Sequence, residues 1–280
     1  MSEQVKSPQT SVGHAHAHPA DAGRTRWVVG NWKMHGSLAS NATLLSALAD
    51  TVGRQPAAEA GVAGGVKVGV CVPFCYLSQA QQALSGSAVR LGVQDISGHA
   101  LDKGAYTGEI SAAMVREFDV TLVIVGHSER RTLLRESDAA VVAKTRQVLD
   151  GGMTPVVCVG ETLAEREAGR TEAVVGAQLD ALLSAFDAGQ LRRMVFAYEP
   201  VWAIGTGKSA TAQQAQDVHA FLRARLVAKN EVLEQVALLY GGSVKPGNAA
   251  ELFGQPDIDG GLIGGAALVA DDFIAICRAA

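Results

Sequence analysis

Cysteine is scarce in this 280-residue chain: Cys71, Cys75, Cys158 and Cys277 are all there is, and no two form a C-x-x-C pair. Such usage argues against a disulfide scaffold and against a tetrahedral metal set, and a reduced, cytoplasmic setting is expected. Long apolar runs are also missing. None approaches the ~18–20 residues that span a bilayer, so no membrane partner is expected. The first two dozen residues are polar and lack the apolar core of a secretion signal. Neither sign of charge dominates, with Lys+Arg 24 against Asp+Glu 28 and a formal net charge of -4. Without a Lys/Arg block there is no electrostatic footprint for nucleic acid. A small anionic substrate stays open, because a local pocket can be positive within an acidic protein.

What is present is a hydrophobic fraction of 48%, enough for a sizeable core. Residues 1–24, with Pro8, Pro19 and alternating His14, His16 and His18, are expected to be a disordered N-terminal extension without assigned function. Residues 25–280 are expected to form the catalytic domain. There, short Val- and Ile-rich runs alternate with longer amphipathic stretches. The runs are Trp27–Gly30, Val66–Val72, Arg90–Val93, Thr121–Val125, Met153–Val159, Met194–Tyr198, Val236–Tyr240 and Gly261–Ile263. Near-continuous apolarity is the pattern of parallel strands buried on both faces. The stretches include Leu38–Val52, Asp138–Leu149, Arg170–Leu183 and Thr211–Asn230, with Asp138 and Thr211 as expected N-caps. Eight such units fit a closed barrel or an open doubly wound sheet; ~255 residues suit a single-domain α/β (β/α)8 TIM barrel without long insertions.

The unusual residues collect just after the runs: Asn31-Trp32-Lys33, Gly126-His127-Ser128-Glu129, Glu199-Pro200, Gly241-Gly242-Ser243 and Gly264-Gly265. In a barrel these segments converge on one rim, where the active sites of this fold sit. Glu199-Pro200 ends a strand, and the fixed φ of proline stiffens the loop that follows.

Five segments carry a family resemblance: Gly30-Asn31-Trp32-Lys33, Val125 to Arg131, Ala197 to Lys208, Tyr240 to Pro246, and Ile263-Gly264-Gly265-Ala266. In this order and spacing, from Trp27 to the C-terminus, they resemble the signature segments of the triosephosphate isomerases. The N-terminal extension departs from that pattern and touches no catalytic position. The resemblance implies an aldose–ketose isomerase of glycolysis and gluconeogenesis, interconverting dihydroxyacetone phosphate and D-glyceraldehyde 3-phosphate through an enediolate, with no cofactor and no metal.

Removing a proton beside a carbonyl needs a base and donors for the oxyanion that develops. By resemblance and position, Glu199 is the base and His127 the electrophile. A helix N-terminus after His127 favours neutral imidazole over imidazolium, an arrangement long known for this family. Lys33 supplies a point charge to phosphate and enediolate, with Asn31 beside it. Gly205, Ser243, Gly264 and Gly265 bring main-chain donors to the phosphate. The resemblance further implies a lid from Val201 to Lys208 and a packing role for Cys158. It implies a charge-orienting role for Glu129 and a protruding Asp95–Glu109 loop that docks into a second subunit, making a homodimer.

Other motifs fail. Gly207-Lys208-Ser209 suggests a P-loop, but Trp202 stands where that motif needs its first glycine. Asn41-Ala42-Thr43 matches a glycosylation sequon without any secretion signal. Two rival functions stay open at this level: another sugar-phosphate isomerase or epimerase, and a non-catalytic scaffold on the same fold. The first is expected to lack the Asn31, Lys33, His127 and Glu199 set, the second to have lost Glu199 or His127.

Overall fold

The computed structural model describes residues 23–53, 65–204 and 210–280. Eight parallel strands close into one barrel in sequence order: β1 (Trp27–Asn31), β2 (Lys67–Val72), β3 (Arg90–Val93), β4 (Leu122–Val125), β5 (Thr154–Val159), β6 (Val195–Tyr198), β7 (Ala237–Tyr240) and β8 (Gly260–Ile263). Closure is visible at β1, where Trp27 pairs with Lys67 on one side and with Gly260 on the other. The open doubly wound alternative is thereby excluded.

Both faces of each strand are buried, which is why the sequence shows runs and not alternation. Alternate residues fill the barrel interior, among them Val29, Cys71, Ile124, Cys158, Ala197 and Leu239. Their neighbours, such as Val28, Val70, Val123, Val157 and Leu238, face the surrounding helices in a larger cluster. The barrel is therefore filled, and no channel links its two ends.

Side chains cap the helices that return the chain to the next strand. Ser37 and Ser40 cap Leu38–Val52 reciprocally, and Thr211 with Gln214 does the same for Ala212–Lys229. For Asp138–Asp150 the cap is Ser137, not the expected Asp138; the serine oxygen accepts from Ala140 N, while Asp138 occupies the first helical position. An acid there still favours the helix end through the backbone dipole. Most of the expected extension lies outside the described residues. Arg24 does not: its Nε donates to Asp259 at 2.7 Å.

Candidate active site

The C-terminal ends of the strands meet at one rim and surround a cavity of about 770 Å³. Asn31, Lys33, His127, Ser243, Gly264 and Gly265 all line it. Gly205 lies outside the described residues. Glu199 is not on the cavity wall; it sits immediately behind His127 and borders a separate cavity of about 230 Å³ with Ser128 and Gln178.

At β1, the Asn31 side-chain oxygen accepts from Lys33 N at 2.9 Å, and Gln94 Nε2 donates to Lys33 O at 2.8 Å. These bonds hold Lys33 at φ 51, a left-handed conformation that a lysine adopts only when its surroundings impose it. The ammonium is thereby presented to the cavity, paired with Glu129. Gly264 packs against the same lysine, since a Cβ there would lie 3.3 Å from Lys33 Cε.

His127 is reached through Gly126 at φ 68 and caps the helix Ser128–Leu133. Its Nδ1 accepts the Glu129 N–H at 3.2 Å, so Nδ1 carries no proton and Nε2 does. Nε2 points at Glu199 Oε1, 3.0 Å away. Burial opposes charge on this ring, while the neighbouring Glu199 carboxylate favours it and draws the pKa upward in this pose. A second proton at Nδ1 would face the Glu129 N–H donor at the positive end of a helix. The Nδ1 contact favours the neutral ring, and the largest upward pull, that of Glu199, ends once its carboxylate leaves Nε2, while the weaker pull of Glu129 stays.

Glu199 directly follows β6 and is 1% exposed. Ser128 donates to it twice, from N at 2.9 Å and from Oγ at 3.1 Å. Burial works against the carboxylate, but His127 and the two Ser128 donors outweigh it and hold the pKa below the ordinary glutamate value. The carboxylate is thus ionised and held against Ser128. Beneath it, burial and the Glu199 charge push the Cys158 thiol well up, which makes it an inert packing group.

Three supports were not legible in the sequence. Ser128 holds the Glu199 carboxylate. Gln178 brackets Gly160, accepting from its N at 2.8 Å and donating to its O at 3.0 Å. Gly160 must be glycine because a Cβ would lie 1.9 Å from Glu199 O. Glu161, fully buried, accepts from Tyr198 OH at 3.1 Å and Trp202 Nε1 at 2.9 Å, and its O accepts from Val201 N at 3.1 Å. It thereby anchors the Val201–Ala203 turn that follows Glu199-Pro200. Glu161 stands two residues beyond β5, but no motif in the sequence analysis marked it. Among the described residues no group of three or more His, Cys, Asp or Glu could hold a metal ion, and no helix is long and apolar enough to cross a membrane.

A family model described as triosephosphate isomerase matches residues 26–280. The chain is 59% identical over 257 residues to the triosephosphate isomerase of Cupriavidus necator, covering 91% of this chain and all of that protein. It is 57% identical over 258 residues to the Thiobacillus denitrificans enzyme of that name, covering 92% and 99%. For the Bordetella pertussis protein of the same name the identity is 56% over 256 residues, covering 91% and 98%.

Proposed function

Because the chain belongs to the triosephosphate isomerase family, we propose that its rim residues interconvert dihydroxyacetone phosphate and D-glyceraldehyde 3-phosphate as follows. Main-chain donors at Ser243, Gly264, Gly265 and Gly205 bind the phosphate. Lys33 faces the reacting carbons with Asn31 beside it. Glu199 rotates off Ser128, takes a carbon-bound proton and leaves an enediolate. His127 Nε2–H donates to the carbonyl oxygen and moves protons between the two oxygens. Glu199 returns its proton to the neighbouring carbon, which completes an isomerisation with no net change of redox state and no added group.

One observation supports this reading above the others: a ring nitrogen whose proton is fixed by its surroundings lies 3.0 Å from a buried, ionised carboxylate at the edge of a cavity bearing a lysine. Parking the base on Ser128 keeps it off the cavity wall until Pro200 and Val201 move. The lid that begins there couples phosphate binding to release of the base, and its closure excludes water from the enediolate.

A homodimer is part of the proposal. Leu101 and Tyr106 are exposed on the protruding loop, where Tyr106 stacks on His99 with ring centroids 3.9 Å apart. Met34, Leu133 and Leu134, also exposed, border a cleft beside Lys33 and His127. A knob and a cleft on one chain suit a two-fold, self-complementary pairing. The proposal assigns the enzyme to glycolysis and gluconeogenesis in the cytoplasm. The test is a coupled assay on purified protein with glyceraldehyde 3-phosphate, with and without a phosphate-bearing enediolate mimic. Turnover that the mimic suppresses competitively is expected; absence of turnover overturns the proposal.

A further inference from the structure

Ion pairing is thorough among the buried and half-buried cations. Arg24 and Arg223 share Asp259, Arg130 and Lys144 share Asp95 and Glu136, and Arg131 faces Asp138. Lys67 and Arg90 break this pattern. Neither side chain makes a hydrogen bond or an ion pair among the described residues, although the chain has more carboxylates than cations.

Both open their strands at the N-terminal end of the barrel, away from the rim just described. Lys67 Nζ lies 5.1 Å from the centroid of the Trp27 ring and the Arg90 guanidinium carbon 5.5 Å from the same centroid. Burial lowers the pKa of each, Arg90 lowers that of Lys67 further, and no carboxylate offsets either effect. Two like charges thus share one indole. Arg90 also borders a cavity of about 480 Å³ with Ser85, Gly86, Ser87 and Thr121. Asp119 lies on that wall too, but Gln81 Nε2 engages it at 2.8 Å.

We propose that Lys67 and Arg90, held side by side on Trp27, form a second anion site at the N-terminal end of the barrel, for a small multivalent oxyanion of the phosphate or polyphosphate class. A guanidinium offers two parallel N–H groups to such an oxyanion and an ammonium adds a point charge. Trp27 holds both stems by cation–π contact, so little side-chain freedom is lost on binding. A doubly charged ligand cancels the repulsion between the two cations. Because it binds the folded chain alone, it stabilises the barrel without entering the reaction.

The experiment titrates pyrophosphate against the full chain and against a Lys67→Met/Arg90→Met variant, following thermal unfolding. Both proteins keep the upper cavity, so its contribution cancels in the comparison. At tenfold saturation the wild type should gain roughly 3 °C more than the variant, while isomerase kcat and KM stay equal in the two. Sodium chloride at matched ionic strength should not reproduce the difference. Equal gains in both proteins, or an equal effect of chloride, overturn the site. Should the double variant fold poorly, Lys67→Gln and Arg90→Gln are read singly by tryptophan fluorescence, with Trp27→Phe identifying the reporter. Each should bind pyrophosphate at least about tenfold more weakly; unchanged affinity in both overturns the proposal equally.

Discussion

Shortening Glu199 to Asp withdraws the carboxylate by about 1 Å from any carbon it attacks, and misplacement on that scale costs on the order of 10²-fold in kcat. KM should change little, because phosphate is held by other segments. Steady-state assays decide this, and a wild-type kcat in Glu199→Asp would remove the base role. His127→Gln keeps a donor but loses the second nitrogen and the proton relay. Its kcat should fall by about 10²-fold, with the affinity for a phosphate-bearing inhibitor nearly intact. A titration showing lost inhibitor affinity would make His127 a binding group instead. Both residues stand out as candidates in the sequence because their flanking segments resemble one family. Ser128 as the resting partner of Glu199 does not, since the two are 71 positions apart. No local pattern marks a contact made only when β4 and β6 curve onto one rim.

At the scale of elements, the junction between Ser128–Leu133 and Asp138–Asp150 is held by charge. Glu136 accepts from Arg130 Nε at 2.5 Å and pairs with Lys144, which also donates to both oxygens of Asp95, at 2.8 and 2.7 Å. Burial raises the Glu136 pKa, but Lys144 and Arg130 outweigh it and the net shift is downward. For a depressed carboxylate the stabilisation is fully present above its unfolded pKa, about 4.3. It is lost as pH falls through the lower folded value. Glu136→Gln should therefore cost roughly 1–3 kcal/mol at pH 7, less than a fully buried pair would. The deficit should shrink as pH drops below about 4. Denaturant melts at pH 7 and pH 3.5 check this; a deficit equal at both values would contradict the charge-based account. The strands themselves were readable to within a residue or so from their apolar runs. The cap of Asp138–Asp150 was misplaced by one position because Ser137 and Asp138 are both good N-cap residues, and only backbone geometry chooses between them.

For the molecule as a whole, pairing of two copies should be visible as a dimer by sedimentation at micromolar concentration. Leu133→Asp, placing a charge in the cleft beside His127, should shift the equilibrium to monomer and lower kcat; a wild-type chain that sediments as a monomer would refute the pairing. The sequence by itself determined the family and the eightfold alternation, and it singled out Asn31, Lys33, His127 and Glu199 as candidates, because composition and motif are local properties. The tertiary structure decided that the barrel closes, that Nδ1 of His127 is the unprotonated nitrogen, and that Glu199 rests against Ser128 and off the cavity wall. It also left Lys67 and Arg90 together on Trp27 without a carboxylate partner among the described residues. Those facts depend on distances between strands far apart in the chain, and electrostatic and hydrogen-bond energies follow distance in space, not separation in sequence.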